Sequence, residues 1–537
     1  MNWIPQSVRR LTLLAILCLP LLLPQAARAL PAELGEQLLQ GSWAEREVLA
    51  RSLASNPDPL AISLSEHWLQ GQLFMHKASR QLVTVEKVKR KYQTTVLNTG
   101  EDLGLLKKRE LKKIPLNNGL RKAIRDTLAL KDLQSPDMEL RKIAITSLMQ
   151  SNQPENLKLL QQTLKTEKNN ELKKIIQQGI ALYTLSNGDE QQKVTAIKLL
   201  ASSNSSTIYN RLQSDRTTQK NPAVLAALND AVKSIESRRK LYGAVENVFF
   251  GLSLGSVLLL SAIGLAITFG VMGVINMAHG EMIMLGAYTT YVVQSLLPEH
   301  IGASLFISLP LAFLVAGLTG VLIERLVIRH LYGRPLETLL ATFGISLILQ
   351  QAVRSIFSPL NQTVITPDWM SGSIVINEML SLTVNRLVII GFSLVVFLGL
   401  LFVLKYTRSG LTMRAVTQNR AMAGSMGIRT SHVDALTFGL GSGIAGIAGV
   451  ALSQLTNVGP NLGQNYIIDS FMVVVFGGVG NLWGTFVAAM GLGVANKFIE
   501  PWAGAVVAKI LVLVFIILFI QKRPRGLFAL KGRAVES

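Results

Sequence analysis

Cysteine is almost missing from this chain. Of 537 residues only Cys18 carries a thiol, so no internal disulfide can staple any part of it. Charge is scarce as well: Asp, Glu, Lys and Arg make up 16% of the residues, where a soluble chain carries about a quarter. Acid is the scarcer sign, with 33 Asp and Glu against 53 Lys and Arg, and the formal net charge is +20. Zinc-type Cys/His spacing is absent, and so is any interleaving of aromatic with basic residues, which leaves a nucleic-acid reading of that basicity without support. No G-x-x-x-x-G-K-[ST] sequence occurs, so the chain has no phosphate loop of its own. What it does have is 49% hydrophobic residues and a mean hydropathy of +0.37. It reads as a membrane protein, or half of one.

The apolar residues are unevenly spread. Residues 1–29 read as a secretory signal peptide, with Arg9 and Arg10 at its basic start, an apolar run from Leu11 to Leu23, and Ala27-Arg28-Ala29 as a small-x-small cleavage site. An uncleaved anchor is the alternative, and either way the following section is exported. The apolar run continues past Cys18, which argues against a lipoprotein cysteine.

Residues 30–240 are hydrophilic and carry +11 of the net charge, which suits anionic lipid or a solvated basic face. "QLVTVEKV" and "KYQTTVLN" read as two strands. From about Leu120 the period is helical, in "LRKAIRDTLALKDL", "MELRKIAITSLMQS", "ELKKIIQQGIALYTL" and "QQKVTAIKLLASS". Ala144 and Ala181 sit in similar apolar surroundings one helix pair apart, as in a short HEAT-like stack that buries its core between neighbouring repeats. His67 and His76 have no third ligand nearby, so they read as surface or core histidines, and neither a metal nor a cofactor is expected.

From about Tyr242 the character changes. Apolar segments fall near 249–270, 275–297, 304–324, 338–357, 387–404, 433–455, 467–480, 484–499 and 505–520. Most reach the roughly 20 residues that a span requires. The fold class expected is therefore an all-α polytopic membrane protein of about nine segments, some broken, behind an exported, mainly helical HEAT-like domain. The divisions are 1–29, 30–240, 241–530 for the transmembrane domain and 531–537 for the tail. The loop "KYTRSGLTMRAVTQNRAMAGSMGIRTSH" is rich in Lys and Arg and has no acid, and the tail "KRPRGLFALKGR" is also basic. "SPLNQTVITPDWMSGSIVINEMLSLTVN" has acids and no Lys or Arg. The positive-inside rule puts the basic loops and the C-terminus in the cytoplasm and residues 30–240 outside, in agreement with the leader.

Polar residues inside such segments are expensive and mark cavities or partners. "VINMAHGEMIMLGAY" holds Asn276, His279 and Glu281 among Gly270, Gly273, Gly280 and Gly286. Glycine allows close packing and a broken backbone, and a break is tolerated only where it is buried or lines a water path. The alternative is that His279 and Glu281 satisfy one another or cap a helix at the interface. "GGVGNLWGT", with Gly477, Gly478 and Gly480, lacks the lysine of a phosphate loop and reads as a packing or re-entrant turn. In the basic loop, Ala415, Ala421, Ala423 and Gly427 form a small-residue helix that could sit in a partner's groove. An ordinary amphipathic surface helix is the other reading.

Together "GLSLGSVLLLSAIGLAITFGVMGVINMAHGEMIMLGAY", "RAVTQNRAMAGSMGI", "FGGVGNLWGTFVAAMGLG" and "RPRGLF" resemble the Liv-type permeases of ABC importers, the branched-chain amino-acid family, over about residues 245–530. The exported section and "LNNGLRKAI" are similar to the long-form urea permeases within that family. The resemblance implies a bacterial inner-membrane subunit that is not itself an enzyme. Its implied partners are a second Liv-type permease, two cytoplasmic ATPases and a periplasmic substrate-binding protein, with membrane lipid around it and no nucleic acid. The implied cargo is urea, with branched-chain amino acids or another small amide as the alternative and a passive channel as a third reading. The family implies no defined urea ligands. Asn276, Ser346, Gln350 and Gln351 are residue types that suit a small neutral amide. His279, Gly280, Glu281, Gly477, Gly478 and Gly480 are candidates for the gate or its scaffold. By the same resemblance the loop around Ala415–Gly427 docks on an ATPase.

Overall fold

The computed structural model describes residues 34–528 apart from 57, 89–90, 134 and 151–153. The leader expected at 1–29 and the tail at 531–537 lie outside the described residues. The chain divides into two compact units. One comprises Met1–Ser203 and Thr207–Lys233, and the other Asn204–Ser206 and Ser234–Ser537.

The first unit opens with helices α1 (Leu34–Gln40), α2 (Trp43–Ser55) and α3 (Pro59–Gln70). Ser42 and Glu45 form a capping box at the start of α2, and Asp58 caps α3 just before Pro59. The expected strand pair exists as β2 (Leu82–Val88) and β3 (Lys91–Val96), but it belongs to a five-stranded antiparallel sheet. The sheet order is β4-β3-β2-β1-β5, with β1 at Leu73–His76, β4 at Asp102–Leu106 and β5 at Leu111–Lys113. These three strands are short, and their alternation is too brief to stand out from the sequence. Leu38, Leu64, Trp68, Leu73 and Ile114 form the core beneath the sheet, with Leu120 and Ile124 of α4 (Asn118–Asp132). Helices α5 (Met138–Gln150), α6 (Pro154–Thr166), α7 (Asn170–Asn187) and α8 (Glu190–Leu200) follow, joined by short turns. Ala144, Ile145, Leu148, Leu160, Leu172 and Ile176 close a second core between α5, α6 and α7. His67 pairs with Gln72 at 3.1 Å and His76 with Ser79 at 2.9 Å, and no metal-holding cluster occurs among the described residues. Helix α9 (Ser206–Thr218) completes this part.

Helix α10 (Pro222–Met272) runs for 51 residues, and its residues 222–233 belong to the first unit. The second unit continues with α11 (His279–Leu296), α12 (Ile301–Leu326), α13 (Pro335–Phe357), the hairpin β6 (Ser373–Asn377) and β7 (Leu380–Thr383), and α14 (Val384–Tyr406). Two short helices, α15 (Arg408–Gln418) and α16 (Arg420–Ser425), come next, followed by α17 (Thr430–Ser453), α18 (Leu462–Gly477), α19 (Leu482–Ala503) and α20 (Ala505–Lys522). All nine apolar segments are helical, and seven of these helices are long and apolar enough to cross a membrane. The other two are α11, whose hydropathy is lowered by His279 and Glu281, and α18, which has 16 residues. Helix α17 lies against both α11 and α12. A Cβ on its Gly446 would meet Ala316 Cβ at 2.7 Å, and one on Gly449 would collide with the Ile283 carbonyl oxygen. Glycine there brings backbones together, the packing expected where lipid supplies no hydrophobic drive between helices.

Candidate functional site

Helix α10 ends at Met272, and α11 begins at His279. The break between them is made possible by Gly273, whose φ of +67° a side chain would resist. The neighbouring elements hold it in place. The Met277 N–H donates to Thr342 Oγ1 of α13 at 3.1 Å. His279, wholly buried, sits with Nε2 2.9 Å from the Ser261 carbonyl of α10, and an Nε2–H there donates to it. Ser261 Oγ in turn accepts from Ser470 of α18 at 2.9 Å. Glu281 Oε1 accepts from Ser346 Oγ and from Gln350 Nε2, both at 2.8 Å. His279 and Glu281 therefore bond to other helices and do not satisfy one another.

Ser346 and Gln350 meet Glu281 because residues four apart share a helix face. Gln351 is one position on, about 100° round the helix, and is exposed. The structure therefore separates Gln351 from Ser346 and Gln350, and these two bond Glu281 and do not line the cavity that Asn276 lines.

Asn276 is 1% exposed. Its Oδ1 accepts from the Ala278 N–H at 3.0 Å, while its Nδ2 has no protein partner. It lines a cavity of about 120 Å³ together with Leu265, Ile275, Met277, Ile467, Ile468 and Phe471. No charged side chain lines it. Gly280 meets Gly463 backbone to backbone, fixing α11 against α18, the helix that supplies three of the cavity residues.

The turn at Gly477–Gly480 is a packed corner. Gly478 and Gly480 have φ of +104° and +80°, and Asn481 Oδ1 caps α19 by accepting from the Gly484 N–H at 3.1 Å. The Leu527 and Phe528 N–H groups donate to the carbonyls of Phe476 and Gly477 at 2.9 and 3.2 Å. These bonds bind the following basic segment onto the corner and satisfy its carbonyls, which suits a scaffold and not a phosphate cradle. Gly480 also lies under Gly270, so a Cβ at 270 would come within 2.6 Å of Gly480 Cα, one turn before the break.

In the basic loop, Met413, Val416, Ala423 and Val433 form a buried cluster, with Ala415, Leu404 and Val271 packed against it. Val271 stands two residues before Gly273, so the loop touches the helix end that leads into the break. Ala421 and Gly427 are exposed, but Ala423 faces inward and Ala415 is half-buried. Ala423 is thus part of the loop's own core and presents no surface to a partner, because on a six-residue helix only one side can face out. The large exposed residues there are Leu411, Met422 and Met426. Sequence reasoning passed over them in favour of small residues, although two methionines four apart are a legible signal of an adaptable apolar surface.

The family described as "Branched-chain amino acid transport system / permease component" matches residues 247–520. The chain belongs to this permease family. It is a multi-pass membrane permease component, a transport subunit and not an enzyme. The permease is 30% identical over 295 residues to the high-affinity branched-chain amino acid transport system permease protein LivH of Salmonella typhimurium, covering 53% of this chain and 94% of that protein. It is 29% identical over 298 residues to BraD of Pseudomonas aeruginosa, a permease protein of the same kind of system, covering 54% and 96%. It is 25% identical over 285 residues to the ribose import permease protein RbsC of Escherichia coli, covering 51% and 84%. No solved structure matches it. The family match takes in the break, the cavity, the corner and the basic loop of the permease. Residues 34–246 lie outside it.

Proposed function

We propose that this permease is the membrane subunit of an ATP-driven importer that carries urea inward across a bacterial inner membrane by alternating access. The observation that carries the cargo reading is the Asn276 cavity, which is small, is lined by no charged group and has among its lining residues one with an unpartnered amide nitrogen. A neutral solute with a carbonyl acceptor can take that donor once the Asn276 side chain turns into the cavity. A zwitterionic amino acid would bring two charges with nothing there to pair them, and unpaired charge is costly to bury. Branched-chain amino acids are the second reading. The apolar lining suits a branched side chain, and LivH and BraD are named for such cargo.

In this reading the working complex has five parts: this permease, a second Liv-type permease, two cytoplasmic ATPases and a periplasmic binding protein. The loop of α15 and α16 is cytoplasmic and docks on an ATPase through Ala421, Met422, Met426 and Gly427. Closure of the ATPases then pushes the cluster at Val271, which adjoins the break, and access to the cavity switches sides. Energy enters as differential stabilisation of the two states. His279, Gly280 and Glu281 hold the break, Gly477, Gly478 and Gly480 brace it, and Asn276 touches the cargo. Residues 1–29 act as an export signal, residues 30–240 form a periplasmic HEAT-like domain, and residues 241–530 form the transmembrane part.

The test is uptake of labelled urea by the reconstituted five-part complex, with leucine as competitor. Urea uptake that needs ATP and resists leucine is expected. Leucine uptake without urea uptake would establish the second reading, and ATP-independent flux would make the protein a channel.

A further inference from the structure

Helix α16 has six residues, too few to hold itself. Its only buried residue is Ala423, while α15 contributes both Met413 and Val416 to the apolar cluster. What ties α16 down is polar. Arg420, its first residue, reaches Asp434 on α17 with Nη1 3.1 Å from Oδ1 and a second contact from Nη2 to Oδ2. Asp434 is wholly buried, whereas the Arg420 side chain is 42% exposed. The Arg420 guanidinium carbon also stands 4.7 Å from the centroid of the Tyr332 ring. Tyr332 lies in the connector after α12, and its hydroxyl donates to Glu324 Oε1 at 3.4 Å. Burial, with the carboxylates of Asp434 and Glu324 beside it, pushes the Tyr332 hydroxyl up, so it keeps the proton it donates. Glu324 is itself wholly buried near the end of α12, with the Arg325 Nε 3.8 Å from its other oxygen.

A two-pronged contact fixes direction as well as distance. A buried carboxylate stripped of its guanidinium is strongly unfavourable, so α16 cannot drift from α17 without exposing that penalty. The ring of Tyr332 carries the same constraint to α12, which packs along the glycine face of α17. We propose that Arg420 is a positioning residue for transport, a latch that locks α16 to α17 and, through Tyr332, to α12. A push on α16 is then delivered to two core helices instead of being lost in local motion. The use of the latch in transport rests on the reading that this loop docks an ATPase. The latch itself is a property of the permease alone.

Two measurements separate these. The double variant Arg420→Ala/Asp434→Asn removes both charges, so no carboxylate is left buried and unpaired. In the full-length permease in lipid nanodiscs, amides 420–426 of this variant should exchange hydrogen on the order of tenfold faster, with the centre of α17 unchanged. Unchanged exchange at 420–426 overturns the latch. Arg420→Lys keeps the charge but not the fork, and should recover part of the protection; a lysine variant as unprotected as an alanine one also overturns it. In the five-part complex, the double variant should keep ATP hydrolysis but move several-fold less cargo per ATP, for whichever cargo the wild type carries. Full transport per ATP would leave the latch without a role in coupling. A wild-type complex that moves neither urea nor leucine defeats the functional reading, while the exchange result still decides whether the latch exists.

Discussion

Replacing Gly280 with alanine tests whether the break is held by backbone contact. A Cβ at that position would lie 2.5 Å from the Gly463 carbonyl oxygen, 2.8 Å from its carbon and 3.2 Å from Ile467 Cβ. Non-bonded atoms rest at about 3.5–4.0 Å, so α11 and α18 must part by roughly 1 Å. Both nearest atoms are backbone, and no side chain can swing aside. Overpacking typically costs about 1–3 kcal/mol, and the upper end applies here. The alanine returns at most about 1 kcal/mol of helix propensity. The net loss is about 2 kcal/mol, roughly a thirtyfold fall in the folded-to-unfolded ratio. The measurement is the unfolding midpoint in mixed detergent micelles, with Gly399→Ala as the control. A Cβ at Gly399 of α14 would meet nothing within 4 Å, so its alanine variant should be neutral or slightly more stable. Because Ile467, Ile468 and Phe471 of α18 line the Asn276 cavity, uptake should fall along with stability. A Gly280→Ala protein as stable and as active as the wild type would refute the reasoning.

Asn276→Ala should weaken cargo affinity by about two- to tenfold, the worth of one neutral hydrogen bond, and competition uptake reads it directly. Gly427→Val should abolish uptake with the complex still assembled, because position 427 has φ of +84°, which a β-branched residue resists, and pull-down with the ATPases separates the two effects. Burial pushes the Glu167 carboxyl up, but the Asn169 and Lys168 N–H groups and the Arg141 guanidinium outweigh it and hold it below its ordinary 4.5. The stability it contributes is therefore complete above that value and is lost as pH falls through the lowered folded one. Exchange protection of α5 to α7 should weaken with acid in the wild type and less so in Arg141→Ala; equal acid sensitivity would contradict the assignment. Reporter fusions should find residue 150 outside and residue 420 in the cytoplasm, and the reverse would overturn the orientation.

Much of the architecture was legible along the chain. The nine apolar segments appear as nine helices, because hydropathy is summed over neighbouring residues and needs no tertiary partner. The capping residues Ser42, Asp58, Asn169 and Asp189 stand where helices begin, for the same local reason. The short strands β1, β4 and β5 were not legible, since each is held by a neighbour instead of by its own pattern. In the site, Asn276, His279 and Glu281 could be singled out as polar groups in apolar surroundings. Their partners could not.

The sequence by itself determined that this is a membrane protein with a hydrophilic section before its spans, that polar residues stand among glycines able to break the backbone between 270 and 286, and that the loop of α15 and α16 is basic. Each follows from composition or backbone freedom over a few adjacent residues. Only the tertiary structure decided that Gln350 and not Gln351 meets Glu281, that Ala423 turns inward, and that Arg420 finds Asp434. Those outcomes depend on the rotation of each helix about its axis. That rotation is set by contacts between helices far apart in the chain, such as Gly280 on Gly463 and Gly449 on Ile283 for α11, and Thr342 on the Met277 N–H for α13. A one-residue turn of α13 would have exchanged Gln350 for Gln351 without changing any local property of the sequence.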